Sequence, residues 1–269
     1  MVRCSNRSYG LTRSPPSCIT RSAFALQKKQ RVHHIPTARK RAHDGNHMTT
    51  TTSTTPAQRA QAILDFWFGA MNDATLLNRE AEPFSTYFQR WYGKSAEVDA
   101  SIRDTFEPVL VDVTASGRHW DDTMREWRAH PHGMLALTIL LDQMTRNMYR
   151  NSARMYAQDA LALLSSEAAR AEITDDMPLV HRMFISMPLM HVENLTLQER
   201  MLRDFEALAA RATTHSPHNV GFFEFALGYA KRHVDMVRTF GRFPHRNELL
   251  GRISTAAEVE ALKHPENSF

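Results

Sequence analysis

The chain has 269 residues, of which 42% are apolar and 23% charged, with only 10 Gly but 14 Phe. This excludes collagen, a long coiled coil and global disorder, and the length suits one large domain or two small ones. The formal charge of +4 averages two unlike parts: residues 1–48 hold ten Lys and Arg against one acid, Asp44, while the rest holds 23 basic and 28 acidic residues.

Residues 1–55 read as a disordered basic tail, without helical or strand period and with little apolar surface to offset chain entropy. Three origins stay open: translation that really starts at Met48, an Arg- and Ser-rich transit peptide, or a basic arm that touches RNA or lipid. Ser22 to Leu26 is too short for the apolar core of a secretory signal. Both cysteines, Cys4 and Cys18, lie in the tail, so the body has no disulfide, thiolate metal site or cysteine nucleophile. No window approaches a membrane span, and the expected location is cytoplasmic.

Residues 56–269 are expected to form one all-helical domain. Ile63, Phe66 and Trp67 share a helix face that Gly69 ends. Phe84, Tyr87, Phe88 and Trp91 repeat the pattern before Gly93. Val98, Ile102, Phe106, Val109 and Val113 continue it, with a kink or break expected at Pro108. Met134 to Tyr149, Tyr156 to Ala171 and Met177 to Met187 read as apolar helices. Thr196 to Glu199 reads as a capping box opening a helix to about Ala212, and Thr255 to Glu258 as a second box opening a short terminal helix. Between them, Asn219 to Phe240 forms a long helix stopped by Gly241. Hairpin turns between alternating strands are absent, which leaves about nine or ten helices with connections of ordinary length.

The body has three lysines against twenty arginines, and arginine suits planar, two-pronged contacts to carboxylate or phosphate. Within LALTILLDQMTRNMYR (135–150), Asp142, Arg146 and Arg150 recur every four residues, with Gln143 and Asn147 beside them. One face should turn from apolar to polar there, either as a site or as a surface ion pair. In MPLMHVE (187–193), His191 and Glu193 could orient an imidazole, although a hydrogen-bonded structural histidine is the more ordinary outcome. His233 and Arg238 lie on the long helix. GRFPHRNELLGR (241–252) concentrates Arg242, His245, Arg246, Asn247 and Arg252. A helix starting near His245 would aim free N–H groups at an anion; the alternative is a loop stapled by its arginines to neighbouring carbonyls and carboxylates.

In order along the chain, ILDFWFG (63–69), the 135–150 block, MPLMHVEN and GRFPHRNELLGRIST resemble the bacterial DUF924 family. Two positions depart from its pattern: Met144-Thr145 stands where Phe-Pro is usual, and Val192 where Ser is usual. The resemblance implies an all-helical domain with TPR-like helical-pair packing in a cytoplasmic bacterial protein, and supplies no substrate or catalytic residue.

Two functions are carried forward. In the first, Gln143, Arg146, Asn147, His233, Arg242, Arg246, Asn247 and Arg252 bind a small anionic ligand or substrate. His191 or His245 then handles protons, oriented by Asp142 or Glu193. Whether this amounts to an enzyme is left open. In the second, an arginine-lined TPR-like scaffold grips acidic peptides or proteins. No metal or other cofactor is expected, since the ten body histidines form no H-E-x-x-H spacing, and G-x-S-x-G is absent. Nucleic acid is expected to bind only through the tail.

Overall fold

The computed structural model describes residues 54–75, 77, 82–264 and 267. The tail expected over 1–55 thus falls, apart from Thr54 and Thr55, outside the described residues. Within them the fold is all-α and has no strand.

Helix α1 (Pro56–Phe68) starts at a Thr55–Gln58 capping box and stops at Gly69, whose φ of 55° favours glycine. A Cβ at Gly69 would also collide with the Tyr87 hydroxyl, so glycine lets α2 (Phe84–Tyr92) approach. Helix α3 (Ala96–Val113) runs unbroken through Pro108, so of the kink or break expected there the break does not occur. Pro108 is exposed and so is Asp104, whose carbonyl loses its helical partner; water can serve that carbonyl. Helix α4 (Trp120–Arg128) is absent from the sequence expectation, though Trp120, Met124 and Trp127 space correctly for one apolar face.

The central rod changes character along its length: α5 (Gly133–Thr138), a π-helical segment (Ile139–Met144) and α6 (Thr145–Met148). Every residue from Gly133 to Thr145 is buried. The sequence pattern predicted a uniform α-helix here; the wider turn falls at Asp142 and Gln143. After a 3₁₀ turn at Ala153–Tyr156 come α7 (Asp159–Arg170) and α8 (Leu179–Met190). Helices α9 (Leu195–His215) and α10 (Val220–Phe240) pack along each other, and α8 packs on α9. The cap of α9 is Asn194, whose side chain accepts from the Leu197 N–H; the expected box at Thr196 lies inside the helix. Gly241, at φ 70°, ends α10, and the Thr255–Glu258 box opens α11 (Ala256–Ala261). Counting the rod as one helix, ten helices lie among the described residues.

The core joins Trp67 and Phe68 of α1, Trp91 of α2, the rod, and Phe184 of α8. Phe184 packs edge-on to both Trp67 and Phe68, at 5.8 and 5.4 Å between ring centres. This packing places the π-helical segment against the C-terminal end of α8, so Asp142 meets His191.

Candidate functional site

His191 caps the C-terminus of α8, where Pro188 still fits inside the last turn. Gln198 of α9 holds the following turn by donating to the Met190 and Val192 carbonyls, at 2.6 and 2.9 Å. So positioned, the His191 Nδ1 lies 2.7 Å from Oδ1 of Asp142, itself only 1% exposed. Gln143 donates to the other carboxylate oxygen, and Arg146 approaches Oδ1 at 3.2 Å. Burial pushes the Asp142 carboxyl up, but Arg146 and His191 outweigh it and hold it down to about 2. Burial and the Arg146 charge push His191 below the ordinary histidine range, although Asp142 pulls the other way. The resting pair is therefore a carboxylate and a neutral imidazole. Its Nδ1–H donates to Asp142, and the lone pair is on Nε2.

Arg146 also donates to Oδ1 of Asp159 at 3.0 Å, and Arg246 reaches the other Asp159 oxygen at 3.5 Å. The Arg246 Nη1 donates to the His191 carbonyl at 3.0 Å. Its guanidinium carbon lies 4.6 Å from the Tyr156 ring centre and 4.4 Å from that of Phe243. Asp142, Asp159, Arg146 and Arg246 balance formally, but unevenly. Burial works against the Arg146 charge, and Asp142 and Asp159 more than restore it. For Arg246, burial and the neighbouring Arg146 outweigh Asp159 and leave it below the ordinary arginine range. Its side chain is 7% exposed, and its buried Nε has no hydrogen-bond partner among the described residues.

His233 of α10 completes this group, its ring centre 6.4 Å from that of His191. Its Nδ1 lies 2.9 Å from the Tyr229 carbonyl, which accepts only, so Nδ1 carries the proton. Burial puts the ring well below the ordinary histidine range. Phe243 stands 5.5 Å from His233 on one side and 5.6 Å from His245 on the other. Burial, then Arg246, pushes His245 down to about 3.

The rest of the 241–252 block serves the loop. Arg252 holds Glu193 with two prongs, at 2.7 and 2.9 Å, and donates to Oδ1 of Asn247 and to the Phe243 carbonyl. Glu193 accepts the Phe243 N–H at 2.8 Å. Arg242 grips Glu258 at 2.6 and 2.8 Å, and Asn247 donates to Ser254. The helix expected to start near His245 is only a 3₁₀ turn, Pro244–Arg246. The Arg246 and Asn247 N–H groups bond to the Phe243 and Pro244 carbonyls, which removes the predicted helix-terminal anion seat.

The structure thus brings Asp142, Gln143, Arg146, His191, His233 and Arg246 together. Glu193, Arg242, His245, Asn247 and Arg252 build the adjoining loop. Asn147 stands apart: its amide donates to Asp99 of α3, which Arg150 also holds at 2.6 and 2.8 Å. The expected face of Asp142, Arg146 and Arg150 therefore splits, because the helix ends at Met148 and Arg150 leaves its axis. Tyr156 and Asp159 were missed in sequence. Asp159 opens α7 like any first-turn acid, and nothing local foretells that two distant arginines share it.

Among the described residues no group of three His, Cys, Asp or Glu side chains is placed to hold a metal ion, and no helix is long and apolar enough to cross a membrane. Two clefts, of about 280 Å³ beside Trp120 and about 240 Å³ beside His181, do not include His191 in their walls.

A family model described as a bacterial protein of unknown function, DUF924, matches residues 63–266. The chain belongs to the DUF924 family. The match covers every helix from the second turn of α1 onward, including all the residues of the site. The solved structure of the Agrobacterium tumefaciens protein ATU0120, a protein of unknown function, is similar at 29% identity and a TM-score of 0.55. The similarity covers 76% of this chain and 96% of that one. No curated protein matches.

Proposed function

We propose that the group around the Asp142–His191 pair binds a small anionic substrate and that His191 accepts a proton from it. The observation that carries this reading is Arg246. It is a buried guanidinium with one carboxylate at 3.5 Å and an Nε without a hydrogen-bond partner among the described residues, whereas Arg242 and Arg252 each hold a carboxylate with two prongs. A phosphate or carboxylate would supply the acceptor that Arg246 lacks. Beside it, Asp142 fixes the His191 tautomer so that Nε2 faces the ligand as a base, the arrangement general acid–base chemistry requires. A π-helical turn under Asp142 fits a functional role, since such turns often occur at sites. The cysteine-free body suits a reducing compartment such as the bacterial cytoplasm.

A TPR-like scaffold that captures acidic peptides has less support. The arginines that would line its groove, Arg242 and Arg252, are already committed to Glu258 and Glu193.

The test is a thermal-shift screen with phosphorylated and carboxylated metabolites on the wild type and on Arg246→Ala, with Arg211→Ala as a control outside the site. A ligand at a hundred times its Kd should stabilise the wild type and Arg211→Ala by about 2.7 kcal/mol and leave Arg246→Ala unmoved. Equal stabilisation of all three proteins would overturn the reading.

A further inference from the structure

Away from the His191 group, the cleft beside His181 is a second binding site: we infer that it takes a small organic cation, an ammonium or amidinium group on a short apolar body. Nothing here depends on the anion reading. His181 lies near the start of α8 and His191 at its end, about 15 Å apart along the helix.

The cleft has a volume of about 240 Å³. That is below the roughly 300–1,000 Å³ of pockets for drug-sized ligands, so it suits a single ring or a short chain. One side is a face of α1, where Gln61, Leu64, Asp65 and Phe68 recur at three- and four-residue spacing. The other side is the turn before the rod, with His130 and His132, together with His181 of α8.

The charge of this lining is one-sided. Asp65 is exposed, and one of its oxygens accepts from Gln61 at 2.7 Å. Among the described residues no lysine or arginine pairs with it. The body carries twenty arginines, and the only one of them near this order of sequence, Arg128, is not in the wall. Apart from the histidines, Asp65 is the one ionisable side chain there. Burial, reinforced by His132, lowers His181 to about 4 and keeps its ring neutral. A cation would balance Asp65, whereas a phosphate or carboxylate would be repelled by it.

The histidines add unmet hydrogen-bond capacity. Both ring nitrogens of His181 and Nδ1 of His130 are buried without a hydrogen-bond partner among the described residues. Buried polar atoms are mostly partnered, so three such nitrogens beside one cleft call for a reason that packing does not give. A neutral imidazole has one acceptor nitrogen, and an ammonium or amidinium carries several N–H donors. These nitrogens are covered as the rings stand, so a ring must turn toward the cleft to meet a ligand. His132, whose ring centre lies 6.0 Å from that of His181, has a φ of 59°. That left-handed backbone is uncommon outside glycine and recurs at binding sites. The three rings are not placed to hold a metal ion together.

The experiment uses the whole protein and three probes of one shape: benzylamine, benzyl alcohol and benzoate. Affinity is read by calorimetry and location by NMR of the histidine rings. Benzylamine should bind about fivefold more tightly than benzyl alcohol, the size of one partly screened ion pair, and benzoate should bind weakest. It should move the ring resonances of His130, His132 and His181 and leave that of His191 in place. Asp65→Asn, an exposed change that keeps the shape, should bring benzylamine down to the alcohol's affinity. Equal affinity of amine and alcohol for the wild type, or a preference that survives Asp65→Asn, would overturn the inference. So would an amine that does not bind, or one that moves His191 alone. Stabilisation by zinc ions without any by benzylamine would overturn it in favour of a metal. An anion bound at Arg246 leaves each of these outcomes unchanged, so the two readings fail separately.

Discussion

At the scale of single residues, Asp142 holds the site together. It meets His191, Gln143 and Arg146 at once while almost fully buried. Asp142→Asn removes the charge that balances Arg146 and offers Nδ1–H a weaker acceptor. Breaking a buried pair from one side typically costs about 3–5 kcal/mol, and denaturant unfolding should read a loss of that order. The proton behaviour of His191 is a separate expectation. Because its folded-state value is lowered, the ring should stay neutral below pH 6.5, and ring chemical shifts followed by NMR should place its midpoint under that of a free histidine. A midpoint above 6.5 would mean that Asp142 outweighs burial, and His191 would then be an acid at rest.

At the scale of elements, the turn after α8 and the loop after α10 are held together by one two-pronged pair, Glu193 with Arg252. Both partners are about one quarter exposed, so the pair is screened less than a surface ion pair and desolvated less than a core one. A double-mutant cycle with Glu193→Gln and Arg252→Ala should give a coupling of about 1–2 kcal/mol. Because Glu193 also accepts the Phe243 N–H, the single Glu193 change should also shift the Phe243 amide resonance and loosen the ring that lies under Arg246. Zero coupling would show that the loop is held by the Arg242–Glu258 pair alone. The π-helical segment belongs to this scale too. It interrupts the α-helical register at Asp142, after which Arg146 still reaches back to Asp142 while Asn147 and Arg150 turn to Asp99.

At the scale of the whole molecule, acid should unfold the protein through its buried histidines. Burial, reinforced by the nearby His132, lowers His181 to about 4, and burial lowers His245 to about 3. The folded state keeps these rings neutral, whereas the unfolded chain protonates them near pH 6.5. The unfolded state then binds more protons below 6.5, so stability is complete above that pH and is lost as pH falls toward 4. The melting temperature should be flat from pH 8 to 7 and fall steadily from 6.5 to 4. His181→Phe should flatten part of that fall, since its ring already lies 4.2 Å from that of Phe68 and phenylalanine would suit the same apolar wall. An unchanged slope in the variant would assign the acid sensitivity elsewhere.

Much of this was legible in one dimension. Helix class follows from the three- and four-residue spacing of Ile63, Phe66 and Trp67 and of Phe84, Tyr87 and Trp91, because an apolar stripe at that period has one good solution. Gly69 and Gly241 stop helices because they adopt positive φ, and Thr255 with Glu258 caps one through contacts three residues apart. Local chemistry also singled out the blocks that hold His191, Arg246 and Asp142, and the resemblance of those blocks to a known pattern pointed to the family to which the chain belongs. It misjudged Thr196 as a cap, since Asn194 two residues earlier already caps the helix through the Leu197 N–H, and no break occurs at Pro108, whose cost depends on whether the orphaned carbonyl faces water.

The pairing of charges was decided only in three dimensions. Arg242, Arg246 and Arg252 are indistinguishable in a string of letters. Which one finds a carboxylate within 3 Å depends on Glu258, on Glu193 and on Asp159, which lies 87 positions from Arg246. The same holds for His191, which becomes a neutral base rather than a cation because packing of the rod against α8 buries it beside Asp142. Helices follow from contacts three and four residues apart, which sequence records directly. Charge balance and burial follow from contacts 16 to 87 residues apart, which exist only once the helices have packed.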